Sequence, residues 1–194
     1  MATIPEHHYT LEEYIELDKN SEERLEYFAG EVVSMSGGSL SHNRIEINVI
    51  TGLHSRSANG KCSVLPADMR LKVPKAPPYR YADVVMVCAS PVIEKIQGLD
   101  VLVNPALIVE ILSESTEAYD RGNKFLAYQS IESFEEYLLI AQDKAYVTHY
   151  LRQPDGQWLR SDIEGVEHEV KLLTIGLSIT LKEIYANVEF VAAP

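Results

Sequence analysis

Asp83 and Glu110 are the residues whose setting speaks most directly of chemistry. Each stands in a short, apolar, largely β-branched run, Ala82 to Val87 and Leu107 to Leu112, that predicts a buried strand. An ionised carboxylate in such a run is strongly disfavoured unless a cation or several hydrogen bonds compensate it. Two of them on strands able to lie side by side suggest a divalent metal site with oxygen ligands, Mg²⁺ or Mn²⁺. After SerGluSerThr, the stretch Glu117 to Tyr128 reads as a helix with Asp120, Lys124 and Tyr128 at successive i, i+4 steps on one face. An ammonium brought against two metal-holding acids suits phosphodiester hydrolysis: the metal activates water, and the lysine stabilises developing negative charge or orients that water.

The elements that must position these residues are readable in turn. Thr10, with Glu13 three residues on, predicts a capping box for a first helix through about Leu17. Arg24 to Met35 reads as a hairpin turning at AlaGly, with Glu31 opening its second strand. From about Leu40 to Ser57 a helix carries the apolar stripe Ile45, Val49, Ile50 and Leu53, with His42 on the same side. Strands are expected at Cys62 to Val73 and Ala82 to Val87, separated by the Pro-rich ProLysAlaProProTyrArg. Beyond the helix with Lys124, Glu136 to Ala141 and Ala145 to Leu151 form a second hairpin about GlnAspLys. ProAspGly at Pro154 to Gly156 marks a turn, Val170 to Thr174 a further strand, and Leu181 to Ala186 a short helix. This order predicts an α/β fold with a mixed sheet between helices, and 194 residues at 46% hydrophobic content suit a single domain over residues 1–194.

The formal net charge of −12 argues against tight, unspecific binding of duplex DNA unless basic residues cluster, because such binding rests on many phosphate contacts. Clustering of Lys61, Lys72, Lys75, Arg70 and Arg80 near the acids would favour a nuclease, and their dispersal would not. MetAlaThrIleProGluHisHis has no apolar signal region, and no run is long enough to span a bilayer, so a cytoplasmic protein without membrane attachment is expected. Cys62 and Cys88 lack CxxC spacing and read as buried thiols, neither zinc ligands nor a disulfide. The six histidines show no metal-ligand spacing, which makes zinc a poor expectation.

Several of these segments together resemble a large bacterial family of proposed restriction endonucleases, Uma-two, within the PD-(D/E)XK nuclease superfamily. The matching stretches are TyrPheAlaGlyGluVal at Tyr27 to Val32, SerHisAsnArgIle at Ser41 to Ile45, AlaAspValValMetVal, IleValGluIleLeuSerGluSerThr, and TyrAspArgGlyAsnLysPheLeuAlaTyr at Tyr119 to Tyr128. The resemblance implies a restriction-endonuclease-like fold with extra antiparallel hairpins. It also implies a Mg-dependent endonuclease acting on DNA, with Glu31, Asp83 and Glu110 as acids and Lys124 as the lysine. Asp83 and Glu110 would hold the metal, with Glu31 reaching it through a water, while His42 or Tyr128 positions substrate. Two departures stand out. Ala82 replaces the usual Pro, and Leu112 stands two residues after Glu110, on the same strand face, where a lysine is usual. Lys124 from the helix is the substitute the resemblance implies.

Duller explanations exist for each residue. Asp120 and Lys124 could be a solvated helical ion pair, Glu31 an exposed turn residue, His42 an interior histidine, Tyr128 a packing residue and Arg121 a surface charge. Two rival functions follow: a nuclease fold without turnover that binds or regulates, or a homodimeric interaction protein using Tyr137, Tyr146 and Tyr150.

Overall fold

The computed structural model describes residues 7–35, 37–57 and 60–190. Helix α1 (Leu11–Asn20) starts at Thr10 with both bonds of the expected capping box in place. Strands β1 (Leu25–Phe28) and β2 (Glu31–Ser34) form the first hairpin, with Phe28 opposite Glu31. Its two turn residues both have positive φ, 48° at Ala29 and 105° at Gly30, as a two-residue turn matching strand twist requires. Helix α2 (Leu40–Arg56) is capped by Ser39, whose hydroxyl accepts from the His42 amide. It buries Ile45, Val49 and Leu53, three of the four residues of the anticipated stripe.

Then come β3 (Ser63–Pro66), β4 (Arg70–Leu71), β5 (Arg80–Tyr81), β6 (Val84–Val87), β7 (Ile93–Ile96), β8 (Leu99–Leu102) and β9 (Leu107–Leu112). The helical stretch that follows consists of α3 (Glu117–Tyr119), a π turn (Asp120–Lys124) and α4 (Phe125–Tyr128). The chain continues with β10 (Glu136–Ala141), β11 (Tyr146–Arg152), β12 (Trp158–Glu164), β13 (Glu169–Leu172), β14 (Leu177–Thr180) and α5 (Leu181–Ile184). The central sheet has six strands in the order β12-β11-β10-β9-β6-β3. Only the β9–β10 pair in it is parallel, because the helical stretch carries the chain back across a sheet face between those two strands. A mixed sheet covered by helices is therefore the architecture, as expected.

Alternation along the buried strands divides the core. Leu107, Val109 and Ile111 of β9 turn to one face, where they pack with α2, α5 and the β13–β14 hairpin. Ile108 and Leu112 turn to the other, against Phe125 and Tyr128. Glu110 shares that second face by parity, so the acid points toward the helical stretch.

Four expectations need correction. The strand anticipated over 62–73 is broken, because Pro66 has no N–H to continue a ladder; β3 stays in the central sheet while β4 pairs with β5 and β8. The hairpin β7–β8 joins that second sheet and was not anticipated. Tyr137 is fully buried and stacks on Phe125, so it fills the core and cannot contribute to the anticipated dimer surface, whereas Tyr146 and Tyr150 are only partly buried. Finally, Cys62 and Cys88 form a disulfide and are not free thiols. The register of β3 on β6 pairs Ser63 with Val87, which sets the two cysteines opposite each other one residue further out. Under oxidising conditions, a bond spanning 26 residues is expected to contribute about 3 kcal/mol by restricting the unfolded chain. Denaturation of the wild type with and without a reductant, beside Cys88→Ser, checks this; equal stability in all three would remove the contribution. Among the described residues, no helix is long and apolar enough to cross a membrane.

Candidate active site

Strands β6 and β9 run antiparallel with Val84 opposite Val109. One residue further, Asp83 at the lip of β6 comes opposite Glu110, and opposed residues of an antiparallel pair share a sheet face. Both line a cleft of about 380 Å³ walled by β2, the N-terminal turn of α2 and the π turn. The Ile111 amide donates to Asp83 Oδ2 at 2.6 Å, and His42 Nε2 lies 3.3 Å from the same oxygen. Burial pushes the Asp83 carboxyl up, but His42, the Ile111 amide and Lys124 outweigh it and hold the group below the usual carboxylate range. His42 is held above its ordinary value by Asp83 despite burial, and its Nδ1 has no partner among the described residues.

Lys124 arrives from the opposite wall. Its Nζ donates to Glu110 Oε1 at 2.9 Å and lies 3.5 Å from Asp120 Oδ1, with only 2% of the residue exposed. The solvated ion pair is thus corrected: Asp120 and Lys124 are both buried. They are the first and last residues of the π turn, a helical irregularity frequent at functional sites. Burial alone would strip the proton from Lys124, but Glu110, Glu26 and Asp120 outweigh it, so the ammonium stays charged well above its ordinary range. Glu110 is pushed well up by burial, which Lys124 offsets only in part and Asp120 and Asp83 reinforce.

Tyr128 is fully buried; its hydroxyl donates to Glu110 Oε1 at 2.8 Å. It lies beneath the carboxylate and does not line the cleft, so it orients Glu110 where substrate contact was expected. Glu31 is exposed at the start of β2 and is not among the cleft's lining residues, so the hairpin does not bring it to Asp83 and Glu110. Leu112 packs in the core beside Phe125, leaving the ammonium to come from the helix.

Two acids near the site escaped the sequence reading. Glu26 of β1 is fully buried, accepts from the Tyr81 amide at 3.0 Å through Oε1, and acts electrostatically on both Lys124 and Tyr128. The signal that marked Asp83 and Glu110, a carboxylate in an apolar strand, is present in LeuGluTyrPhe too. Glu46, one helical turn after His42, is pushed up by burial and by Asp83. Its only signal is the i, i+4 spacing from His42, which is common on any helix.

Among the described residues, no three His, Cys, Asp or Glu side chains are grouped to hold a metal by themselves. Two opposed carboxylates fit the Mg²⁺ mode instead, in which one or two carboxylates anchor an ion that keeps several waters. Glu110 Oε1 accepts from Lys124 and Tyr128, leaving Oε2 for a cation. The basic residues are dispersed: Arg70 pairs with buried Asp18 at 2.8 Å, Lys72 with Glu94, and Arg80 is buried over Phe28. None of these three, nor Lys61 or Lys75, lines the cleft, whose walls include Arg24 and Lys124.

The family model described as "Uma2: Putative restriction endonuclease" matches residues 11–182. Two proteins of Synechocystis sp. named as uncharacterized, slr1290 and sll1609, are 31% and 32% identical, over 92% and 84% of this chain and 92% and 91% of their own. A crystal structure titled as a putative nuclease belonging to DUF820, from Anabaena variabilis, superposes with a TM-score of 0.74 at 17% identity, covering 92% of this chain and 98% of that one. At that identity the likeness concerns the fold. With the family model running from α1 into α5, the chain belongs to the Uma2 family.

Proposed function

We propose that the protein is a metal-dependent nuclease that hydrolyses phosphodiester bonds in DNA. The observation that carries this reading is the opposition of Asp83 and Glu110 across β6 and β9, with Lys124 Nζ 2.9 Å from Glu110, in an open cleft. Asp83 and Glu110 are the residues to hold Mg²⁺ or Mn²⁺, which when bound supplies charge neutralisation and activation of the attacking water. Lys124, kept charged by its acids, stabilises negative charge on the phosphoryl group. His42 orients Asp83 and faces the cleft beside substrate. Tyr128 and the Ile111 amide fix the two carboxylates, which limits the reorganisation needed during reaction. The Ser39-capped end of α2 adds a favourable field for a phosphate at the same mouth.

Incubating the purified chain with single- and double-stranded DNA and RNA, with Mg²⁺ or Mn²⁺ and with a chelator, tests the proposal. Cleavage of DNA that needs the metal is expected; no cleavage of any substrate under any metal condition would overturn it. A second reading, a nuclease fold that binds without turnover, is favoured by the net charge of −12 and by the absence of Lys61, Arg70, Lys72, Lys75 and Arg80 from the cleft lining. Retained metal binding with no cleavage is the outcome that would select it.

A further inference from the structure

One edge of the central sheet is short and closed: β3 has four residues and ends at Pro66. The other edge, β12, has seven residues, no proline and no bulge in its pairing with β11. Long edge strands of this kind are templates for another strand. The phase of β12 follows from bonds at its two ends, where the Gly165 amide donates to Ala145 and the Gln153 amide donates to the Gln157 carbonyl. Ladder bonds alternate, so Leu159, Ser161 and Ile163 turn their backbone toward β11, while Trp158, Arg160, Asp162 and Glu164 turn theirs outward. The Glu164 carbonyl, facing out, is met by His168 Nδ1 at 2.6 Å, which agrees with this phase.

We infer that β12 is a homodimer surface, pairing antiparallel with β12 of a second copy about a two-fold axis at Ser161. In this register Arg160 of each copy stands opposite Asp162 of the other, and both belong to the outward set that exchanges backbone hydrogen bonds. Arg160 and Asp162 already share one side of the strand, 3.1 Å apart and half exposed. On the other side Leu159, an exposed large apolar residue, meets Ile163, and the small Ser161 lies at the axis where side chains come closest. Sliding by two residues puts Arg160 opposite Arg160 or Asp162 opposite Asp162, which is unfavourable. Sliding by one sets outward against inward groups and forms no ladder. Charges on an edge often serve only to keep strands apart, but Arg-Ser-Asp is self-complementary across a two-fold axis, and that order singles out a second copy as the partner.

The inference is independent of the nuclease reading. Sedimentation velocity of the full chain over a concentration series is expected to show a monomer–dimer equilibrium. Arg160→Glu is expected to weaken it about tenfold or more, and Arg160→Asp with Asp162→Arg to restore it. Arg160→Pro deletes an outward amide without touching the β11 ladder, so it is expected to give monomer with unchanged circular dichroism and melting. A wild type that stays monomeric at hundreds of micromolar, a dimer indifferent to Arg160→Glu, or a charge swap that fails to restore association would each overturn it.

Discussion

Asp83→Asn is expected to lower metal-dependent cleavage by about 10³-fold or more, since it removes one of only two carboxylates proposed to anchor the ion, and Lewis-acid stabilisation is worth several kcal/mol. The substitution is nearly isosteric. The amide oxygen can still accept from the Ile111 N–H that donates to Asp83 Oδ2, so the lip of β6 should stay in place. The same variant should lose the thermal stabilisation that Mg²⁺ gives the wild type, which would reach about 2.7 kcal/mol at a hundred times the dissociation constant. Single-turnover cleavage and melting across a Mg²⁺ and Mn²⁺ series measure the two effects separately. Wild-type rates in Asp83→Asn, or melting indifferent to either ion in both proteins, would remove Asp83 from a metal site.

Lys124→Ala should damage both activity and stability. A solvated Asp120–Lys124 pair would have been worth only about 0 to 1 kcal/mol. Lys124 is instead buried with Glu110 and Asp120, and deleting one member of such a group leaves uncompensated buried charge, at a cost of about 3 to 5 kcal/mol. Loss of charge stabilisation at phosphate should slow cleavage by about 10² to 10³-fold. The stability loss has a definite pH dependence. Burial holds the folded-state pKa of Glu110 well above its unfolded value even beside Lys124. A raised carboxylate favours the fold below the unfolded pKa and loses that advantage as pH rises through the folded one. Lys124→Ala should therefore lie nearest wild type in acid and fall behind as pH increases. Denaturation curves at several pH values check this, and pairing Lys124→Met with Glu110→Gln should recover part of the stability but not cleavage, since buried Asp120 keeps no cation. A Lys124→Ala protein as stable as wild type at every pH would contradict the burial, and one as active would remove the lysine from the chemistry.

Local signals carried much of this protein. The capping box at Thr10, the stripe on α2, the AlaGly turn and the apolar runs around Asp83 and Glu110 depend on neighbours within a few residues, and each formed as its pattern required. The i, i+4 spacing of Asp120, Lys124 and Tyr128 likewise survived the π turn, with all three side chains converging on one side of the sheet. Whether that side was wet or dry was not legible. A Lys at i+4 from an Asp looks the same on a solvated helix as on one packed over a sheet.

What tertiary structure decided was every pairing across long sequence distance. Glu26 stands 84 positions before Glu110, and Asp83 and Cys62 meet their partners only because β6 and β3 take one register out of several; a shift of one residue would turn each side chain to the opposite face. The β6–β9 register opposes Asp83 and Glu110 and the β3–β6 register joins Cys62 to Cys88, while Glu31, on a separate two-stranded hairpin that formed as expected, stays outside the cleft. Sequence determined which residues were chemically out of place in apolar surroundings, because burying a charge is costly wherever it occurs. Only the packed sheet determined which of them share the compensating ammonium, because that depends on strand order and register, which no local pattern encodes.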